Sequence, residues 1–224
     1  MKSFIHMQND GTHSYIDPYM EILETESASA GLADFRLARE EFHKLTGEFE
    51  EGEPWFETRM TMFMDWYLLE RSGSQGHTPV ERYLMAHGDH LNDQDLRAFR
   101  NLNVSMRSTF QIQKIHGDVL LLEDLILGGQ WKARWTLPFA GLKADDIFNS
   151  RLILAETEIE VGRGAVLHPT DAHEALFDIV DRARRDHMPL IQTVCHLDKV
   201  KLKLDRYSNV KIRHVYKYPT DVVF

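Results

Sequence analysis

The sequence predicts an α+β protein: an N-terminal helical unit, a small five-stranded curved sheet or barrel, and a C-terminal helical cap with a returning strand. Three observations carry this prediction. Apolar residues recur every three or four positions from Phe35 to Leu102, the signature of helices with one buried face. The period falls to two at Thr109, and tight turns follow at close intervals. Helical spacing then resumes beyond His168. The expected divisions are a partly ordered arm at 1–31, the helical unit at 32–104, the small β-domain at 105–168, and the C-terminal helices with a final strand at 169–224.

The arm reads as irregular. Asp10-Gly11 is a turn signal, and ETESASAG (Glu24 to Gly31) is small and polar, so Tyr15, Ile16, Tyr19 and Ile22 are its expected anchors. From Leu32 to Phe49, the positions Phe35, Ala38, Phe42 and Leu45 predict a helix that stops at Gly47. An aromatic-rich helical hairpin from Trp55 to Leu84 forms the centre, with Trp66 expected in the core. Its second helix opens at Thr78-Pro79-Val80-Glu81. Thr78 accepts from an orphan amide there, Pro79 has no amide to orphan, and Glu81 closes a capping box. Asn92 is the expected N-cap of one further helix, whose acidic first turn suits the dipole.

Strands are expected at Thr109–His116, Val119–Leu122, Gln130–Leu137 and Ile147–Ala155, closed by a last pair within Glu158–Leu167 around Gly162 and Gly164. So many short strands in so little chain imply strong curvature. His168-Pro169-Thr170-Asp171 then starts a helix that buries Ala172, Leu176, Ile179, Val180 and Ala183. After Pro189, Leu190, Ile191, Val194 and Leu197 read as a second helix to about Tyr207, although Lys199 to Leu204 alternates as a strand does. NVKIRHVYKY (Asn209 to Tyr218) alternates like a strand returning to a sheet.

Composition narrows the function. With 43% hydrophobic residues the chain supports a real core, and no apolar run approaches the ~20 residues of a membrane span. The start MKSFIHMQNDGTHSY has no apolar h-region, so a cytoplasmic location is expected. A single cysteine, Cys195, excludes an internal disulfide and a multi-thiolate zinc site. The net charge of −9 is uneven: residues 1–65 carry it all, while 181–217 hold ten bases against four acids. Such asymmetry speaks to partners, or to two halves of one surface facing each other.

The chain contains no catalytic signature. G-x-S-x-G, H-E-x-x-H, a phosphate loop and a dinucleotide fingerprint are all absent. Cys195 sits on an apolar pattern, as a small buried hydrophobe does. His168, Asp171 and His173 are the nearest approach to a metal set, with His87 and His90 behind them; both groups read more simply as a helix-start cluster and a loop. No catalytic residue, metal or cofactor is therefore expected. The ligand-binding candidates are Glu70 and Arg71 beside Trp66, Trp131 and Trp135 on one strand, and Lys199, Lys201 and Lys203. For each a structural role competes: pairing with the β-domain for Glu70 or Arg71, and core packing for at least one tryptophan.

The run Phe63, Trp66, Tyr67, Leu68, Glu70, Arg71, followed by Thr78-Pro79 and Glu81, resembles a widespread uncharacterised bacterial family. In that family an F-x-x-W-[FY]-L-x-[DE]-R helix precedes a small β-domain with an L-x-D-L-x-x-G turn. Val119, Leu121, Asp124, Leu125 and Gly128 are similar to that turn. Leu167-His168-Pro169 and the stretch from Lys203 to Val210 are similar to a closer subset. Some members carry a SEC-C zinc knuckle, which a chain with one cysteine cannot form. The resemblance covers roughly residues 35–217 and implies architecture but no activity. The function expected is a non-enzymatic protein-interaction or regulatory module, self-associating or bound to a protein partner. The alternatives are nucleic-acid or nucleotide-phosphate binding through 181–217, and an enzyme with an unrecognised site.

Overall fold

A computed structural model describes residues 15–29, 31–73, 76–137, 141–207 and 209–221. The helical unit comprises α1 (Ile16–Ser29), α2 (Gly31–Thr46), α3 (Phe56–Leu69), α4 (Pro79–His87) and α5 (Asp93–Asn103). The arm expected at 1–31 is thus, from Ile16 on, a helix; residues 1–14 lie outside the described residues. Its anchors were legible, since Tyr15, Ile16, Tyr19 and Ile22 are all buried. Their spacing of three is helical, and that buried stripe overrides the polar stretch after Glu24. The capping box at Thr78 and the Asn92 N-cap form as their sequences dictate. Gly47 ends α2 at φ +92°, and a Cβ there would meet Leu202 at 2.9 Å, so the same glycine admits a later helix.

Six strands follow where a five-stranded sheet was expected, the sixth lying outside the ring: β1 (Met106–His116), β2 (Val119–Asp124), β3 (Gln130–Arg134), β4 (Ile147–Ala155), β5 (Glu158–Val161) and β6 (Val166–His168). Five of them form a ring in the order β1-β2-β3-β5-β4 and back to β1, with β6 added beside β4. Only β3 and β5 run parallel, over two residue pairs, so the ring closes unevenly. The result is a curved six-stranded sheet with a five-stranded ring, not an even barrel. Long β1 serves both halves, pairing with β4 through its first residues and with β2 after them. At the β2–β3 turn the Asp124 carboxylate accepts from the Ser108 hydroxyl at 2.7 Å and from the amides of Ile126 and Leu127 at 2.9 Å. Gly128 supplies the positive φ that turn needs.

The C-terminal part is helical: α6 (His173–Arg185), α7 (Leu190–Arg206) and the single turn α8 (Ile212–Val215). The returning strand expected over Asn209–Tyr218 does not form among the described residues. Val215, Tyr216 and Tyr218 are buried against α6 and α7. His196 Nε2 meets the Lys217 carbonyl at 2.6 Å, and Arg182 stacks on Tyr218. Anchoring by packed rings decides this segment, where local alternation had suggested pairing.

Three apolar clusters result: one within the helical unit, one inside the ring, and one around α6, α7 and the C-terminal tyrosines. The outward face of β4 touches both helical clusters, Ile147 one and Ile153 with Ala155 the other. Between those contacts the same face carries Asn149 and Arg151. A polar layer is therefore sealed between two apolar ones. No helix among the described residues is long and apolar enough to cross a membrane.

Candidate functional site

Beta pairing places Arg107 on β1 directly opposite Arg151 on β4. Like charges in that position repel across a sheet, so counter-charges are required. Glu70, at the end of α3, supplies one: it bonds to Arg151 and lies 3.6 Å from Arg107. Asp198 on α7 supplies the second, pairing with Arg107 and accepting from Asn149 at 2.8 Å. Thr109 donates to Asn149 in turn, and Arg59 donates to the Asp198 carbonyl at 3.0 Å. Burial alone would lower the pKa of Arg107; Asp198 and the other nearby anionic groups more than reverse that and keep it charged.

Above this network lies a cleft of about 460 Å³, within the usual range for small-molecule sites. Trp66, Leu69, Met106, Leu190 and Ile191 make much of its wall, and Glu70, Ser105, Arg107, Arg151 and Cys195 its polar side. Two atoms of the polar side are buried without a hydrogen-bond partner, Glu70 Oε2 and Arg151 Nε. Such atoms are rare in folded proteins and mark capacity for a ligand or water. Gly162 fixes the strand behind Arg151: its amide donates to the Arg151 carbonyl at 2.7 Å, and a Cβ there would approach that carbonyl to 3.2 Å.

The sequence candidates separate sharply. Glu70 enters the cleft and pairs with the β-domain. Arg71 turns away, gripping Asp34 with both terminal nitrogens at 3.1 Å and Glu41 at 2.7 Å, and so ties α3 to α2. Trp66 is buried in the helical core beside Phe42 and presents an edge to the cleft. Trp135 is buried in the ring and donates to the Leu137 carbonyl at 3.1 Å, while Trp131 packs partly buried on the same cluster. Lys199, Lys201 and Lys203 lie on helix α7, where steps of two residues send them to different sides. Lys201 pairs with Asp205, and Lys199 donates to the Lys44 carbonyl at 3.3 Å.

His168 is buried with Nδ1 2.7 Å from the Tyr216 hydroxyl, and Asp171 is exposed. Neither of them nor His173 lines the cleft that holds Glu70. Among the described residues no group of three or more His, Cys, Asp or Glu side chains is placed to hold a metal. Sequence reasoning missed Arg107, Arg151, Asp198 and Arg59, which no motif marks; Arg151 inside the apolar run of β4 was the one available signal.

Asp65 is buried on α3. Burial pushes its carboxyl up to about 6, against the pull of Arg151 and the neighbouring Tyr19 hydroxyl. The folded chain thus holds this proton above the pH at which the unfolded chain releases it, and stability falls as pH rises from the ordinary carboxylate range toward 6. Asp65→Asn is expected to stabilise the protein at neutral pH by ~1–2 kcal/mol, the lost attraction to Arg151 offsetting part of the shift. Urea melts at pH above and below that window check it: the gain must vanish in acid.

No family model, curated protein or solved structure matches the chain. The functional reading therefore rests on the chemistry of the cleft.

Proposed function

We propose that the chain is a non-enzymatic regulatory module whose sensing element is the cleft, acting in the cytoplasm through a protein partner or a second copy. The observation that carries this reading is where the cleft lies. Its wall takes Leu45 and Trp66 from the helical unit, Arg107 and Arg151 from the β-domain, and Leu190 and Cys195 from the C-terminal helices. An occupant there touches all three parts, so its binding energy bears on how they are arranged. The groups present suit binding better than proton transfer. Burial pushes the Cys195 thiol up to about 11, and Asp198 keeps the Arg107 guanidinium charged, so neither is poised near neutral pH as an acid or base.

Nucleic-acid binding ranks below this. The outward face of β2 and β3 offers Leu121, Glu123, Lys132 and Arg134, with no ring for a base to stack on, because both tryptophans turn inward. Part of the basic segment is also engaged within the chain, as Arg206 bonds Glu53 at 2.8 Å.

Thermal melts with carboxylates, phosphates, amines and neutral analogues test the proposal. At least one class is expected to raise Tm by several degrees through mass action. Ile191→Trp, which fills the cleft, is expected to melt cooperatively without that response. A Tm that no class moves overturns the reading.

A further inference from the structure

We infer that the cleft takes an amphipathic carboxylate, a short fatty or aryl acid whose head displaces Glu70 from the arginine pair. This rests on the cleft being a ligand site and goes further by naming the head group. Arg107 and Arg151 have side chains only 6% and 3% exposed, yet both line the cleft. Arg107 keeps Asp198 as a second counter-charge. Arg151 has only Glu70 and the Ser105 oxygens as hydrogen-bond partners, with Asp65 attracting it from α3, and its Nε is unpartnered. A planar carboxylate is the group to which a guanidinium edge with a free Nε–H donates.

Glu70 occupies that place under a penalty. It is the C-cap residue of α3, and a negative side chain is disfavoured at a helix C-terminus. Its Oε2 finds no hydrogen bond, and at 16% exposure it is the most accessible of the three charges. A free carboxylate carries no such dipole penalty, so it competes for the pair while Glu70 swings toward solvent. A cation has no place: two buried guanidiniums repel it, and Glu70 is already held by both. The apolar wall of Trp66, Leu69, Met106 and Ile191 suits a hydrocarbon or ring behind the head.

Calorimetric titration with octanoate, 1-octanol and octylamine, which share one tail, reads the head group directly. Octanoate is expected to bind about tenfold or more tighter than 1-octanol, the worth of a charge-assisted pair, and octylamine more weakly than either. Glu70→Gln, which removes the competing charge and keeps its hydrogen bonds, is expected to tighten octanoate and leave 1-octanol unchanged. Arg151→Lys is expected to weaken octanoate alone. Octanol or octylamine binding as tightly as octanoate overturns the inference but leaves the cleft a ligand site. So does a Glu70→Gln affinity for octanoate equal to wild type. If the variants fail to fold, the wild-type comparison of three probes still decides. Silence from octanoate overturns the inference; silence from the whole panel of head groups overturns the regulatory reading too.

Discussion

Asp198→Ala is expected to cost ~3–5 kcal/mol, because it strips a buried guanidinium of its closest counter-charge. Asp198 is fully buried on α7, bound to Arg107 and to the Asn149 amide. Without it Arg107 keeps Glu70 at 3.6 Å and repulsion from Arg151 opposite, and the Asn149 amide loses its best acceptor. A domain of ordinary stability has ~5–15 kcal/mol in total, so the variant should melt far below wild type or not fold. Asp198→Asn keeps an acceptor for Asn149 and should lose less. The combined Arg107→Met, Asp198→Ala variant should recover much of the loss, since it removes both charges and leaves none unpaired. Urea melts of wild type, Asp198→Ala, Arg107→Met and the double variant complete the cycle. A double variant no more stable than Asp198→Ala would mean that the pair is not what holds α7 to the ring.

Acid should destabilise the protein through His168. Its ring is buried, its Nε2 has no partner, and burial, with Lys201, Arg59 and His173 nearby, lowers its pKa to about 3. The unfolded chain takes up that proton near the ordinary imidazole value, the folded chain far below it. Stability is therefore complete above that ordinary value and is lost as pH falls toward about 3, on the order of 3 kcal/mol by pH ~4. Asp65 works in the opposite sense between about 6 and the ordinary carboxylate range, so the net loss will be smaller. The ring nitrogens give a direct reading by NMR: His168 should remain neutral at a pH where exposed histidines are charged. A His168 that titrates near 6.5 in the folded protein, or a His168→Phe variant with an unchanged acid slope, removes this account.

Local rules settled much of this molecule. The capping box at Thr78, the Asn92 cap, the stop at Gly47 and the Ala172–Ala183 stripe each follow from groups a few residues apart. Helix α7 was legible from Leu190, Val194 and Leu197, in spite of the alternating lysines beyond them. The strands were legible from their period of two. The failures share one cause. Asn209–Tyr218 alternates as a strand does, but no sheet edge receives it; buried tyrosines packed on distant helices take it instead. The Ile16–Ser29 segment looked irregular because its apolar stripe is short, and only the helices it packs against give that stripe its worth.

The site lay further still from the sequence. Glu70, Arg107, Arg151 and Asp198 come from α3, β1, β4 and α7, so no spacing along the chain joins them. The sequence by itself determined the classes and order of the elements, because caps, glycines and apolar periods act over a few residues. Tertiary structure alone decided which charges would meet. Register sets Arg107 opposite Arg151, and the energy of a buried charge depends on what stands within a few ångströms of it in space.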